Sequence, residues 1–292
     1  MASPSRRLAE NVAGDFYVDD SCIDCDACRQ IAPTVFRDHG EQSSVFHQPE
    51  TEEEVRRALM SIVACPTSSI GTTRKYDARV GVEAFPELLD GNVYYCGFNS
   101  ESSFGAWSYL VVRPEEAGGN VLVDSPRFTR PLVRKIEAMG GVRTIFLTHR
   151  DDVADHAKFA GHFGATRVMH ADDNAARYGV EHVVEGEGVV RLDGDLVVVP
   201  TPGHTRGHAV LLYKDKYLFT GDHLAWSPVR NTLTAFRSVC WYSWTAQTRS
   251  MEKLLDYNFE WVLPGHGRIH HDTAESMHGH LEGCVKWMRS VR

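Results

Sequence analysis

The stretch Thr148-His149-Arg150-Asp151-Asp152-Val153-Ala154-Asp155-His156 packs two imidazoles and three carboxylates into nine residues, directly after the largely apolar run Val142 to Leu147. Imidazole nitrogen mixed with carboxylate oxygen suits a first-row divalent metal. A second chemistry stands earlier, in Cys22-Ile23-Asp24-Cys25-Asp26-Ala27-Cys28, where each thiol is three residues from the next. That spacing lets one loop wrap a cubane and offer thiolates to three irons. A structural zinc site would pair two Cys-x-x-Cys knuckles, and the second is missing here. The fourth thiolate has to come from elsewhere, and Cys65-Pro66, after the apolar stretch Leu59 to Ala64, is the candidate. A 4Fe-4S cluster on Cys22, Cys25, Cys28 and Cys65 is therefore expected. Cys96, Cys240 and Cys284 read as small buried hydrophobes.

Three later segments present metal-ligand side chains at the ends of apolar runs. They are His204 in Pro202-Gly203-His204-Thr205, Asp222 in Gly221-Asp222-His223, and His266 in Pro264-Gly265-His266-Gly267. Glycine and proline there permit sharp turns that aim a side chain back over a sheet edge. His208 and His223 stand beside these ligands and are candidates to orient them. Asp124, Asp172 and Asp173 read as turn or helix-capping residues. His162, His170, His182, His270, His271, His278 and His280 read as surface or packing residues. The aromatic stretch Phe236 to Trp244 reads either as core or as a wall on the substrate side.

The elements that must position these residues follow from periodicity. Thr51 before Glu52-Glu53-Glu54, with Val55, Ala58, Leu59 and Ile62 at helical spacing, predicts a capped amphipathic helix from about Glu50 to Ser61. Tyr76 to Asp90 reads as a connector. Strands are expected at Val93–Tyr95, Trp107–Val112, Val121–Val123, Val142–Thr148, Arg167–Met169, Leu196–Pro200, Ala209–Tyr213, Tyr217–Thr220 and Trp261–Leu263. Helices are expected at Arg130–Met139, Asp155–Phe163, Thr245–Tyr257 and from Thr273 to about Met288. Successive strands followed by strand-helix alternation indicate an α/β sandwich with loops gathered at one edge.

A chain of 292 residues is long enough for two domains. We draw the boundary near residue 76, giving domains 1–75 and 76–292. The net charge of -8 and the lack of a Lys/Arg run argue against nucleic acid as an obligatory partner. No apolar run approaches the roughly 18 residues of a membrane span. Arg6-Arg7 is followed by Leu8-Ala9-Glu10-Asn11, which offers no apolar export segment. Cysteines clustered for metal rather than paired as disulfides fit a reducing compartment, so a cytoplasmic location is expected.

The first domain resembles the bacterial ferredoxins. Their two-cluster members read C-x-x-C-x-x-C-x-x-x-C-P, and this sequence has Cys22, Cys25 and Cys28, then Ala32-Pro33 where the next Cys-Pro would fall. That cysteine serves the other cluster, so its loss implies a single-cluster, small α+β domain. From about residue 90 onward the chain resembles the metallo-β-lactamase superfamily, whose motifs are H-x-H-x-D-H, a His in P-G-H-T, an Asp in G-D and a His in P-G-H-G. The resemblance implies an αβ/βα four-layer sandwich holding one or two divalent metals, zinc, iron or manganese. It also implies that His149 and His204 bind the first metal, that Asp155, His156 and His266 bind the second, and that Asp222 bridges.

The first motif departs from the family. Its second His falls at Asp151, and Asp155-His156 arrive two residues late. Either Asp151 or Asp152 replaces the imidazole, or the first metal has lost a ligand. A carboxylate there shifts preference from zinc toward iron or manganese. Two functions remain open. One is a metallo-hydrolase acting on a small-molecule ester, thioester, amide or phosphodiester, with Asp155 helping to orient or deprotonate the attacking water. The other is an iron-dependent oxidoreductase whose di-iron or mono-iron site receives electrons from the cluster, which would then need a redox partner.

Overall fold

The computed structural model describes residues 2–291. The chain divides into two compact units, Met1–Leu110 with Ser125–Gly141, and Val111–Asp124 with Val142–Arg292.

In the first unit the strand Phe16–Val18 pairs antiparallel with Ile70–Thr72, and Phe36–Asp38 pairs with Ser43–Val45. The helix Glu52–Ala64 begins on the expected capping box: Thr51 accepts from the Glu54 N–H while the Glu54 side chain accepts from the Thr51 N–H. Three glutamates in its first turn also face the positive end of the helix dipole. Phe16, Val18, Val35, Phe36, Val45, Ala58 and Leu59 pack into one core cluster that also contains Cys28 and Cys65. Each fully buried Phe or Val there contributes about 1.5–3 kcal/mol.

The segment read as a connector holds a helix, Arg79–Glu83, and a strand, Glu87–Asp90, which pairs with Val93–Tyr95. Gly81 is what lets that helix close on Glu52–Ala64, because a Cβ there would sit 2.5 Å from the Leu59 carbonyl oxygen. Pro86 and Gly91 flank the strand Glu87–Asp90, and this punctuation is what makes the segment read as a connector.

In the second unit the strands Val121–Val123, Thr144–Phe146, Thr166–His170 and His182–Val184 run parallel in that order. A six-stranded sheet follows the order Val190–Arg191, Leu196–Pro200, Ala209–Tyr213, Tyr217–Gly221, Trp261–Pro264, His270–His271. It is antiparallel apart from the pairing of Tyr217–Gly221 with Trp261–Pro264. Its central strands are buried along their whole length, which is why they read as unbroken apolar runs rather than alternation. The helices Trp244–Leu254 and Ala274–Ser290 lay Met251, Leu254, Met277, Leu281 and Val285 on Val197, Val199, Val210, Leu212 and Val262. Four strand ends of this unit lead directly into the predicted metal ligands. No helix among the described residues is long and apolar enough to cross a membrane.

Candidate metal centre and cluster site

Cys22, Cys25, Cys28 and Cys65 line one cavity with Val18 and Ile70. All are free thiols. Asp24 and Asp26, between the first three cysteines, adopt left-handed φ angles of 60° and 64°. Aspartate tolerates that region better than most residues, and the alternation curls the loop inward. Arg29 is buried and clamps the loop, bonding Asp24 at 2.8 Å and pairing with Asp26. Backbone N–H groups face the sulfurs: Ser43 donates to Cys22 Sγ at 3.4 Å and Ser69 to Cys65 Sγ at 3.3 Å. Burial, reinforced by the neighbouring thiols, pushes Cys25 up to about 12 and Cys28 well above its ordinary value. Four sulfurs around one cavity, two of them facing backbone N–H donors, fit an iron-sulfur cluster, because the irons would supply the positive charge that the thiolates need.

The second site forms at the strand ends of the second unit. His149, His204 and Asp222 each bring one ligand atom within 4.8 Å of the others, and so do Asp152, Asp222 and His266. Asp222 belongs to both groups. Its Oδ2 lies 3.7 Å from both His149 Nε2 and His204 Nε2, and its Oδ1 lies 2.7 Å from His266 Nδ1. Asp151 Oδ2 lies 3.5 Å from His204 Nε2 and 4.0 Å from His149 Nε2. Gly265 makes room for this, since a Cβ there would be 2.5 Å from Asp152 Oδ2 and 2.9 Å from Asp222 Oδ1.

The set fits one or two divalent metals on its own chemistry. His149 Nε2 and both Asp152 carboxylate oxygens are buried without a hydrogen-bond partner, a cost of roughly 1–3 kcal/mol for each orphaned group that coordination would remove. Burial also pushes the Asp152 carboxyl well up, with Asp222 adding to the effect. It opposes ionisation of Asp222 too, but His266, His149 and His204 outweigh it and hold Asp222 well below the usual carboxylate range. Burial lowers His149 to about 4, which leaves a neutral imidazole with a lone pair to give.

A supporting layer holds the ligands. Thr148 donates to Asp124 from its N–H at 2.8 Å and from Oγ1 at 3.0 Å, so that Oγ1 accepts from His149 Nδ1 at 2.9 Å. This fixes the tautomer that leaves Nε2 free. Asp173 accepts from Arg150 N, Thr205 Oγ1 and Gly207 N at 3.0, 2.6 and 2.8 Å, tying the His149 loop to the His204 loop. Asp124 and Asp173, expected as turn or helix-capping residues, are buried acceptors whose partners lie far along the chain. His208 and His223 are fully buried, with His208 5.3 Å from His149 and stacked on His223 at 4.9 Å. Burial lowers His223 to about 3.

Of the predicted ligands, His149, Asp151, His204, Asp222 and His266 converge, and Asp152 joins them. Asp155 and His156 are not brought into the cluster. After Asp152 the chain turns through Ala154, at φ 31°, into the helix His156–Phe163. Asp155 is the residue before its first turn and pairs with Lys158 at 2.8 Å. The His156 ring packs edge-on against Tyr178 at 5.6 Å. The two extra residues are thus absorbed in starting a helix, and Asp152, three after His149, is the carboxylate that lies beside Asp222 and His266. Trp241 and Tyr242 donate backbone N–H groups to the His204 carbonyl while their side chains stay exposed. That end of the aromatic stretch is therefore not core. A cleft beside it is lined by His170, Arg206, Tyr242, Ser243 and Arg249.

Residues 18–72 match the family described as the 4Fe-4S single cluster domain of Ferredoxin I. A hydroxyacylglutathione hydrolase of Xanthomonas campestris pv. campestris is 31% identical over 120 residues, covering 40% of this chain and 46% of that protein. The corresponding enzyme of Buchnera aphidicola is 31% identical over 121 residues, covering 40% and 47%. The chain thus spans about half the length of the curated relatives it matches. Among solved structures, a metallo-β-lactamase from Hirschia baltica superposes with a TM-score of 0.51 at 15% identity, covering 66% of this chain and 95% of that one. The BLEG-1 B3 metallo-β-lactamase gives 0.50 at 17% identity, covering 67% and 99%. The chain therefore carries a single-cluster 4Fe-4S domain and an α/β fold of the metallo-β-lactamase type.

Proposed function

We propose that this protein is a cytoplasmic metal-dependent hydrolase of thioesters, built from a ferredoxin-like domain of residues 1–75 and a metallo-β-lactamase-type domain of residues 76–292. The observation that carries it is the pair of His/Asp groups joined through Asp222. His149, Asp151, Asp152, His204, Asp222 and His266 would hold one or two divalent metals. When bound, the metal supplies an activated water and polarises the carbonyl oxygen of the ester. The residues of the chain do the rest. Asp222 stays ionised between three imidazoles, Asp124 and Thr148 hold the orientation of His149, and Asp173 holds the two ligand loops in register. In the reaction the water oxygen bonds to the carbonyl carbon, the C–S bond breaks, and the thiolate takes up a proton.

The relatives named as hydroxyacylglutathione hydrolases support the thioester class. Arg249 in the adjacent cleft, whose lining also holds Arg206 paired with Asp172, suits a thiol carrier with a carboxylate. The test is release of free thiol from a hydroxyacylglutathione by the anaerobically purified protein. Turnover that vanishes in Asp222→Ala supports the reading, and no turnover by metal-loaded protein sinks it.

A second reading, an iron-dependent oxidoreductase supplied by the cluster, is favoured by one observation. Asp151 stands beside His204 where the family has an imidazole, and the hard oxygen favours iron. Zinc as the only metal of the second domain would exclude it, whereas iron beyond the cluster's own complement would favour it.

A further inference from the structure

His270, Asp272 and His280 lie outside both sites described above. His270 sits on the edge strand His270–His271, Asp272 follows it, and His280 lies within the helix Ala274–Ser290, which Thr273 caps. One ligand atom from each of the three falls within 4.8 Å of the other two. The imidazoles are held. Trp226 stacks flat on His270, with centroids 3.4 Å and planes 7° apart, and meets His280 edge-on at 4.9 Å. Thr232 Oγ1 lies 3.3 Å from His280 Nδ1, leaving Nε2 to face Asp272 Oδ2 at 3.9 Å. That gap is too long for a hydrogen bond and near the roughly 3.3 Å that separates two ligand atoms on one tetrahedral zinc. His270 Nε2 is buried and makes no hydrogen bond. Burial, together with His280, also lowers its basicity, and the other Asp272 oxygen already accepts from Thr273 N at 2.7 Å.

We propose that His270, Asp272 and His280 form an additional divalent-metal site of two imidazoles and one carboxylate, suited to zinc, with its remaining coordination left to water. Two nitrogens and one oxygen favour zinc over magnesium or calcium, which take oxygen donors. The ion ties the edge strand to the helix whose inner face carries Met277, Leu281 and Cys284 into the core.

The test is elemental analysis after equilibrium dialysis of full-length, anaerobically purified protein against buffered zinc. His280→Asn and Asp272→Asn should each hold one zinc per chain fewer than wild type, at the same iron content and with turnover retained. Equal zinc counts in wild type and both variants would overturn the site. A variant that loses its iron as well reports misfolding. In that event wild-type protein alone decides: zinc should protect His270 and His280 from diethyl pyrocarbonate, and unchanged modification of both would overturn the proposal.

Discussion

The cysteine shell draws three of its four thiols from seven consecutive residues, Cys22 to Cys28, whereas the His/Asp centre gathers its side chains from four separate strand ends. The two also differ in how they are balanced electrically. Burial drives the Cys25 and Cys28 thiols up, and bound iron would supply the positive charge that their thiolates need. The centre is balanced from within, since Asp222 is held ionised by the imidazoles around it. Cys28 and Cys65 also belong to the core of the first unit, while the metal centre sits at the rim of sheets that pack without it. Two thiols of the first site are thus part of a hydrophobic core, whereas the second site is assembled from loops at strand ends.

The largest effect that separates them is expected from Asp222→Ala, which removes the residue shared by both ligand groups. Metal in the second unit and hydrolysis should both fall by more than the roughly 10- to 100-fold that a lost supporting contact costs. The brown cluster chromophore, read by absorbance, should persist; its loss would mean that the two sites are not independent.

Protein stripped of all metal should show opposite pH responses. His149 and His223 sit at about 4 and about 3 when folded, against an ordinary 6.5. Their contribution is present above about pH 6.5 and is lost as pH falls toward 4, because the unfolded chain then binds protons that the fold refuses. Cys25 sits at about 12 against 9.0, so its contribution is present below pH 9 and is lost as pH rises toward 12. Urea midpoints followed by a probe in each unit should therefore fall on the acid side for the second unit and on the alkaline side for the first.

Asp124→Asn should weaken metal binding by the second unit roughly 10- to 100-fold through loss of the Thr148-His149 alignment, read by competition with a chelator, and should leave the cluster untouched. The smallest effect is expected from Asp155→Asn. With its side chain outside the centre, turnover should stay at the wild-type level and stability should change by no more than about 0.5 kcal/mol. A large loss of metal in that variant would restore Asp155 as a ligand.

That last contrast marks what the sequence made legible. Spacing made Cys22, Cys25 and Cys28 legible, because their loop is local, while Cys65 was singled out by Cys65-Pro66 after an apolar stretch. Apolar runs ending in Pro-Gly or Gly-Asp carried His204, Asp222 and His266, because buried strands can be read by composition. The stretch Thr148 to His156 leaves one point open, since it offers three carboxylates and nothing in the types of residue says which turns toward Asp222. The turn at Ala154 decides it by sending Asp155 into a helix start. Asp173 and Arg29 were illegible for a different reason: their partners lie elsewhere in the chain or depend on the left-handed curl of the cysteine loop. The helix Arg79–Glu83 and the strand Glu87–Asp90 were hidden by their shortness and by the proline and glycine that flank the strand.

The most direct test of two separate metal shells is elemental analysis with electron paramagnetic resonance on anaerobically purified wild type, Cys25→Ala and His204→Ala. Cys25→Ala should lose the cluster signal and keep the metal of the second unit, and His204→Ala should do the reverse. Loss of both in either variant, or of neither in both, would contradict the account.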